Sequence, residues 1–163
     1  MYDKIKLDFL FIQDFGTKGY IYDLLSEKYS KIVKFLGIIL NDDLFIPESL
    51  ALKLNANRYY TSALFKSHRF EYDISTYPLG DFLSVVFPAM QFILWTNPDK
   101  IYLVGCDCSS GYFDDKKNSH SLTHLIKNWI ELKTFAKKYY PETKIFSINP
   151  VGLKGIFSDI FYK

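Results

Sequence analysis

Residues 101–112, Ile-Tyr-Leu-Val-Gly-Cys-Asp-Cys-Ser-Ser-Gly-Tyr, run from a short β-rich apolar stretch into a polar loop that turns at Gly105. The loop carries Asp107, Cys108, Ser109, Ser110 and Tyr112. Open α/β sheets bind ligands outside the carboxyl ends of their strands, so a buried strand ending in such a loop marks a candidate site. His120 and His124 follow, four residues apart, which places both rings on one helical face. A neutral imidazole can take a proton, as a general base must. The plainer alternative is a pair of surface histidines, one of them a cap. Tyr112 offers a phenolic donor that can stabilise charge on a leaving phosphate oxygen, although in a chain with 13 tyrosines a structural role is the default. Asp107 can bind a ribose or sugar hydroxyl, orient a neighbour or cap the loop.

Zinc is a further option for Cys106, Cys108, His120 and His124. The His-x-x-x-His half has metal-ligand spacing, whereas Cys-x-Cys is tighter than the usual gap. Both thiols would face one way if the strand continued through them; buried, inert thiols are the simpler reading. The chain contains no G-x-G-x-x-G, no Walker A pattern and no G-x-S-x-G elbow, and Asp114-Asp115 matches no metal motif.

The elements that must position these residues are legible in part. Residues 7–12 and 31–36 read as strands, and residues 20–28 as a helix. Pro47 suits the first turn of a helix through Leu50, Leu52 and Leu54. Residues 55–69 hold either a short strand or a long loop, and residues 70–74 read as an edge strand. The apolar stretch 82–95 is long enough for a buried helix, which must start near Ser84 if Pro88 is to sit in its first turn. Residues 101–104 form the expected central strand. A helix from about Ser121 to Lys138 follows, with Leu122, Leu125, Ile126, Trp129, Leu132, Phe135 and Ala136 at amphipathic spacing. Residues 144–148 read as a strand and residues 153–161 as a short helix. Helix, strand, helix, strand is an α/β signature with parallel neighbours, and the loops after both strands open on one edge. Asp107, Tyr112 and Asn149 are therefore expected to share a crevice.

A length of 163 residues suggests one domain, and 48% hydrophobic with 23% charged residues argues against disorder. Aromatic content of 18% fits a packed core, a stacking cleft or contact with a membrane surface. A net charge of +2, with scattered lysines, leaves no nucleic-acid footprint. No apolar run reaches the ~20 residues of a transmembrane helix, and the first residues lack a secretory pattern. Two cysteines one residue apart suit a reducing cytoplasm, with peripheral association at the inner membrane face left open.

The stretch from Lys100 to Asp107, then Ser109-Ser110-Gly111-Tyr112, then Asn118-Ser119-His120 with His124 four residues on, resembles the core of bacterial sialyltransferases of glycosyltransferase family 42. It is more similar still to related proteins of surface-polysaccharide and lipooligosaccharide biosynthesis. The resemblance runs from about Leu7 onward and is strongest from Ser84 to Pro150. It implies His124 as general base on the acceptor hydroxyl, with His120 as nearest substitute, and Tyr112 as the group assisting departure of the nucleotide phosphate. Only one of the family's two loop tyrosines has an obvious match here. Residues 78–85 match a turn that contacts the nucleotide, so Ser84 joins Asp107, Ser109, Ser110 and Asn149 as a substrate-binding candidate. The implied fold is a single Rossmann-like domain over residues 1–163, a three-layer α/β/α arrangement with a mostly parallel sheet. The implied partners are a nucleotide-sugar donor (a CMP-sugar is one candidate), a glycan acceptor and further copies of the chain, with no metal ion and no cofactor. Family members begin with a strand and a Gly-Asn-Gly-Pro-Ser type turn that holds the nucleotide phosphates. Residues 7–12 match a later strand, so the sheet is expected to be incomplete at its N-terminus. The expected function is therefore a nucleotide-sugar-dependent glycosyltransferase, with a shortened non-catalytic relative that binds sugar or nucleotide weakly as the alternative. A structural zinc module comes third.

Overall fold

Phe9–Ile12 (β1), Val33–Ile38 (β2) and Ala56–Tyr60 (β3) pair in parallel in the order β1-β2-β3. This is a computed structural model, and it describes residues 6–13, 30–38, 48–61, 69–106, 108 and 123–162. Side chains alternate across the sheet. One face carries Phe11, Phe35 and Tyr59, with Phe11 stacked on Phe35 at 4.6 Å and the Tyr59 ring 5.8 Å from Phe11. The other face carries Leu36 and Lys34, both fully buried. The Lys34 ammonium donates to the Ile32 carbonyl at 3.3 Å, and burial lowers its pKa. Gly37 pairs with Tyr59 and makes room for its ring: a Cβ at residue 37 would stand 2.9 Å from the phenolic oxygen.

Parallel neighbours need a crossover. Between β2 and β3 it contains the short helix α1, Glu48–Lys53, which packs beside β3. Asn55 closes α1 with φ 49° and its N–H on the Leu52 carbonyl, a left-handed cap. The illegible stretch after Asn55 thus holds a strand. Its sequence, Ala-Asn-Arg-Tyr-Tyr, buries only Tyr59 fully, so no clean alternation shows.

Residues 70–74 do not form the expected edge strand. The Asp73 carboxylate accepts the Ser75 N–H at 3.1 Å and its hydroxyl at 2.5 Å, and the Asp73 carbonyl takes the N–H groups of Thr76 and Tyr77. Such local bonds offer the backbone a turn in place of a ladder. The Ser75 hydroxyl, then Thr76, holds the Asp73 carboxyl below its ordinary range. The chain then rejoins the sheet for one residue: Leu79 bridges Thr61 in parallel and donates to the Tyr60 carbonyl at 2.9 Å.

The segment from Arg69 to Asp81 is held by Gln91, on helix α2 (Val86–Trp95). Its buried side-chain oxygen accepts the N–H groups of Glu71 at 2.9 Å and Gly80 at 3.1 Å. Its nitrogen donates to the carbonyls of Gly80 at 2.6 Å and Phe87 at 2.9 Å. All four hydrogen-bonding positions of the amide are filled. Residue 80 must be glycine, because a Cβ would collide with the Arg69 carbonyl oxygen. Phe82 and Leu83 follow in the left-handed region, φ 46° and 64°. The rings of Phe70, Phe82 and Phe87, with centroids 4.4 to 5.9 Å apart, lock that turn. Pro88 sits in the first turn of α2, where its missing N–H is harmless. Asn97, at φ 51°, caps the helix by donating to the Leu94 carbonyl at 2.8 Å.

Lys100–Leu103 (β4), Lys144–Ile148 (β5) and Ser158–Ile160 (β6) form a second parallel sheet in the order β4-β5-β6. Helix α3, Thr123–Tyr139, connects β4 to β5. Its Trp129, Leu132 and Ala136 are buried, as are Ile101, Leu103 and Ile145 on one face of the sheet. The opposite face stacks Tyr102 on Phe146 at 5.2 Å. Residues 153–161 are not the expected helix. They make turns and then β6, with Gly155 at φ 77° and its N–H held by the Asp159 carboxylate at 2.9 Å.

The chain divides into two compact units, residues 1–91 and 92–163, each with its own sheet. The fold class is α/β: two parallel three-stranded sheets and three helices among the described residues. Two stability predictions follow from the first unit. Gln91→Leu leaves the Glu71 N–H and both Gly80 groups without their partner, and is expected to destabilise by about 3 kcal/mol or more in denaturant unfolding. Leu83→Gly, at an exposed left-handed position, is expected to stabilise by about 0.5 kcal/mol. An unchanged midpoint for the first, or a loss for the second, would show that these local geometries are not what holds the turn.

Candidate functional site

At the carboxyl edge of the second sheet, β4 ends at Leu103 and Val104 is exposed. Gly105, at φ 71°, turns the chain out of the sheet. Cys106 has its Sγ 3.9 Å from the Val104 carbonyl, Cys108 lies at φ 48°, and neither is in a disulfide. The strand therefore does not run through the two cysteines, which removes the geometric premise for thiols facing one way. No group of three or more His, Cys, Asp or Glu that could hold a metal ion occurs among the described residues.

His124 is the second residue of α3 and is exposed. It lies in the connection that leaves β4 and returns to β5 in parallel. Asn149 directly follows β5, at φ 45°. Its N–H donates to the Ile160 carbonyl and its side-chain oxygen accepts the Tyr162 N–H, both at 2.8 Å, so it ties the end of β6 to the end of β5. Ser84 belongs to the first unit, where it is half-buried at the entry to α2. Its N–H donates to the Asp81 carbonyl and its carbonyl accepts the Phe87 N–H. Asp107, Ser109, Ser110, Tyr112 and His120 lie outside the described residues.

The carboxyl edge of the first sheet carries a group that sequence reading missed. Gln13 directly follows β1, Thr61 directly follows β3, and Asp81 lies two residues beyond Leu79, the partner of Thr61. Gln13, Tyr59, Thr61 and Asp81 are each more than nine-tenths buried. The Gln13 amide nitrogen donates to the Asp81 carboxylate at 3.0 Å, and the Leu83 N–H reaches its other oxygen at 3.5 Å. Asp81 makes no ion pair among the described residues. The Gln13 side-chain oxygen, the Tyr59 hydroxyl and the Thr61 hydroxyl have no hydrogen-bond partner among the described residues. Burial, then the charge of Asp81, raises the Tyr59 pKa, so the phenol keeps its proton. The available signal was positional: Gln13 and Thr61 each stand just past an apolar or aromatic β-run.

A cleft of about 290 Å³ lies at the opposite, amino edge of the second sheet, lined in part by Lys133, Lys137, Tyr140, Thr143 and Ser158. It adjoins the C-terminal end of α3, where the helix dipole opposes an anion, so its lysines are a poor anion site. No helix among the described residues is long and apolar enough to cross a membrane. Comparison with protein-family models, curated proteins and solved structures gives no match.

The Tyr59 environment sets a pH dependence. The fold favours the protonated phenol, so that preference is harmless below the ordinary tyrosine pKa of about 10 and costs stability as pH rises above it. Tyr59→Phe is expected to lose stability less steeply than wild type between about pH 10 and 12, read from urea midpoints. Identical slopes would show that the phenol titrates as it does in the unfolded chain.

Proposed function

We propose that the chain is a nucleotide-sugar-dependent glycosyltransferase domain for bacterial surface polysaccharide or lipooligosaccharide synthesis, its strands belonging to a Rossmann-like three-layer arrangement. The carrying observation is the place of His124, an exposed imidazole in the first turn of the helix that follows the carboxyl end of β4. That edge of a parallel sheet is where α/β folds bind their ligands. The resemblance of residues 100–124 to sialyltransferases supplies the chemistry, and a CMP-sugar, with sialic acid as the transferred group, is the donor it favours.

In this reading His124 takes the proton of the acceptor hydroxyl as its oxygen attacks the anomeric carbon. The bond from that carbon to the donor's phosphate oxygen breaks, and the Tyr112 phenol donates a hydrogen bond to the departing oxygen. His120 is the nearest substitute base. Asp107, Ser109 and Ser110 hold donor groups. Asn149, whose side-chain oxygen is engaged by Tyr162, offers its amide nitrogen. The scheme uses no metal ion. The work is set in the cytoplasm, at the inner face of the membrane where glycan acceptors are assembled, with self-association as a further property.

Calorimetry with CMP and UMP followed by a transfer assay tests this. His124→Ala should retain CMP binding and lower the rate by on the order of 10² to 10⁴. Wild-type turnover in that variant would remove His124 as the base. No nucleotide binding at millimolar concentration would favour the non-catalytic relative.

A further inference from the structure

We infer that Gln13, Tyr59, Thr61 and Asp81, at the carboxyl edge of the first sheet, form a subsite for a vicinal diol, the adjacent hydroxyls of a ribose or a pyranose. The inference uses only the first unit and stands independently of the transferase reading.

Buried polar groups are normally hydrogen-bonded, and an unpaired one is costly. Here three side-chain oxygens on one edge lack a partner among the described residues, near a buried carboxylate. They share one side of the sheet. Phe11 and Tyr59 are in ring contact, Gly37 pairs with Tyr59 and leaves room for the phenol, and Thr61 lies two residues beyond Tyr59. Gln13, two residues beyond Phe11, reaches Asp81.

The chemistry of the set selects its ligand. A buried carboxylate with no ion pair among the described residues repels phosphate and accepts hydrogen bonds from hydroxyls, and the Gln13 oxygen accepts them too. The Tyr59 and Thr61 hydroxyls can each donate as well as accept. A diol offers both donors and lone pairs, whereas an ammonium offers donors only, so the diol satisfies all four groups. Asp81 is held for this task by neighbours on both sides. Gln91 fixes Gly80 before it, and the left-handed turn at Phe82 and Leu83 after it is locked by the aromatic triad. Strain held by its surroundings in this way is a mark of functional turns.

The test is ligand-observed NMR on the full chain with cytidine, 2′,3′-dideoxycytidine and a methyl hexopyranoside. Cytidine binding identifies a ribose diol and pyranoside binding a sugar diol; either supports the subsite. Removing the diol should weaken binding by on the order of tenfold or more, as should Thr61→Val and Asp81→Asn. Thr61→Val deletes an unpartnered buried hydroxyl, so its melting temperature should hold or rise, separating lost binding from lost folding. The inference is overturned if neither diol binds wild type at about 10 mM. It is overturned equally if dideoxycytidine matches cytidine, or if both variants bind as wild type does.

Discussion

The amide of Gln91 is the contact on which the first unit turns. A single hydrogen bond contributes only about 1 kcal/mol net, but a buried group left without its partner costs up to about 3 kcal/mol. Gln91 fills both of its donor positions and both of its acceptor positions with backbone groups of Glu71, Gly80 and Phe87. The segment that would otherwise be a free loop is thereby fixed to α2. Gly80 allows this because its missing side chain lets the Arg69 carbonyl approach. Asp81 inherits its position from that clamp and from the phenylalanines that hold the turn after it.

Both sheets follow the same rule of construction. Each pairs strands in parallel across a helical connection, β2–α1–β3 in one and β4–α3–β5 in the other. Parallel connections bring their polar residues out at the carboxyl edge, but the two edges differ in character. Among the described residues, that of the first sheet holds buried polar side chains around Asp81, three of whose oxygens have no hydrogen-bond partner. That of the second carries an asparagine engaged in closing the sheet, and the helix that follows β4 in the chain has an exposed imidazole in its first turn. As proposed above, hydroxyl recognition is assigned to the first and proton transfer to the second.

What the sequence revealed depended on whether a pattern was local. The strand at 144–148 and the helix through Trp129 and Ala136 were legible because apolar spacing alone dictates them. Pro88 located the start of α2 through its missing donor. The strand at 56–60 was obscured by Asn57 and Arg58, adjacent polar residues that break the apolar alternation. The turn at Asp73 depends on side-chain bonds that outcompete a strand, and β6 depends on pairing with β5. Gln91 and Asp81 were illegible for a deeper reason: polar residues become interior only through distant partners, here 11 residues away for Gly80 and 68 for Gln13. Among the residues expected at the site, His124, Asn149 and Ser84 lie within the described structure, each beside the end of a strand or the start of a helix.

Ligands are placed at the carboxyl ends of parallel strands, and one titration bears on that placement directly. Adding CMP to isotopically labelled protein should shift the amide resonances of Gly105, Cys106 and Asn149 and the imidazole signals of His124, leaving Lys137, Thr143 and Ser158 at the amino edge unmoved. Shifts confined to Lys137, Thr143 and Ser158, with the carboxyl-edge signals unchanged, would contradict it.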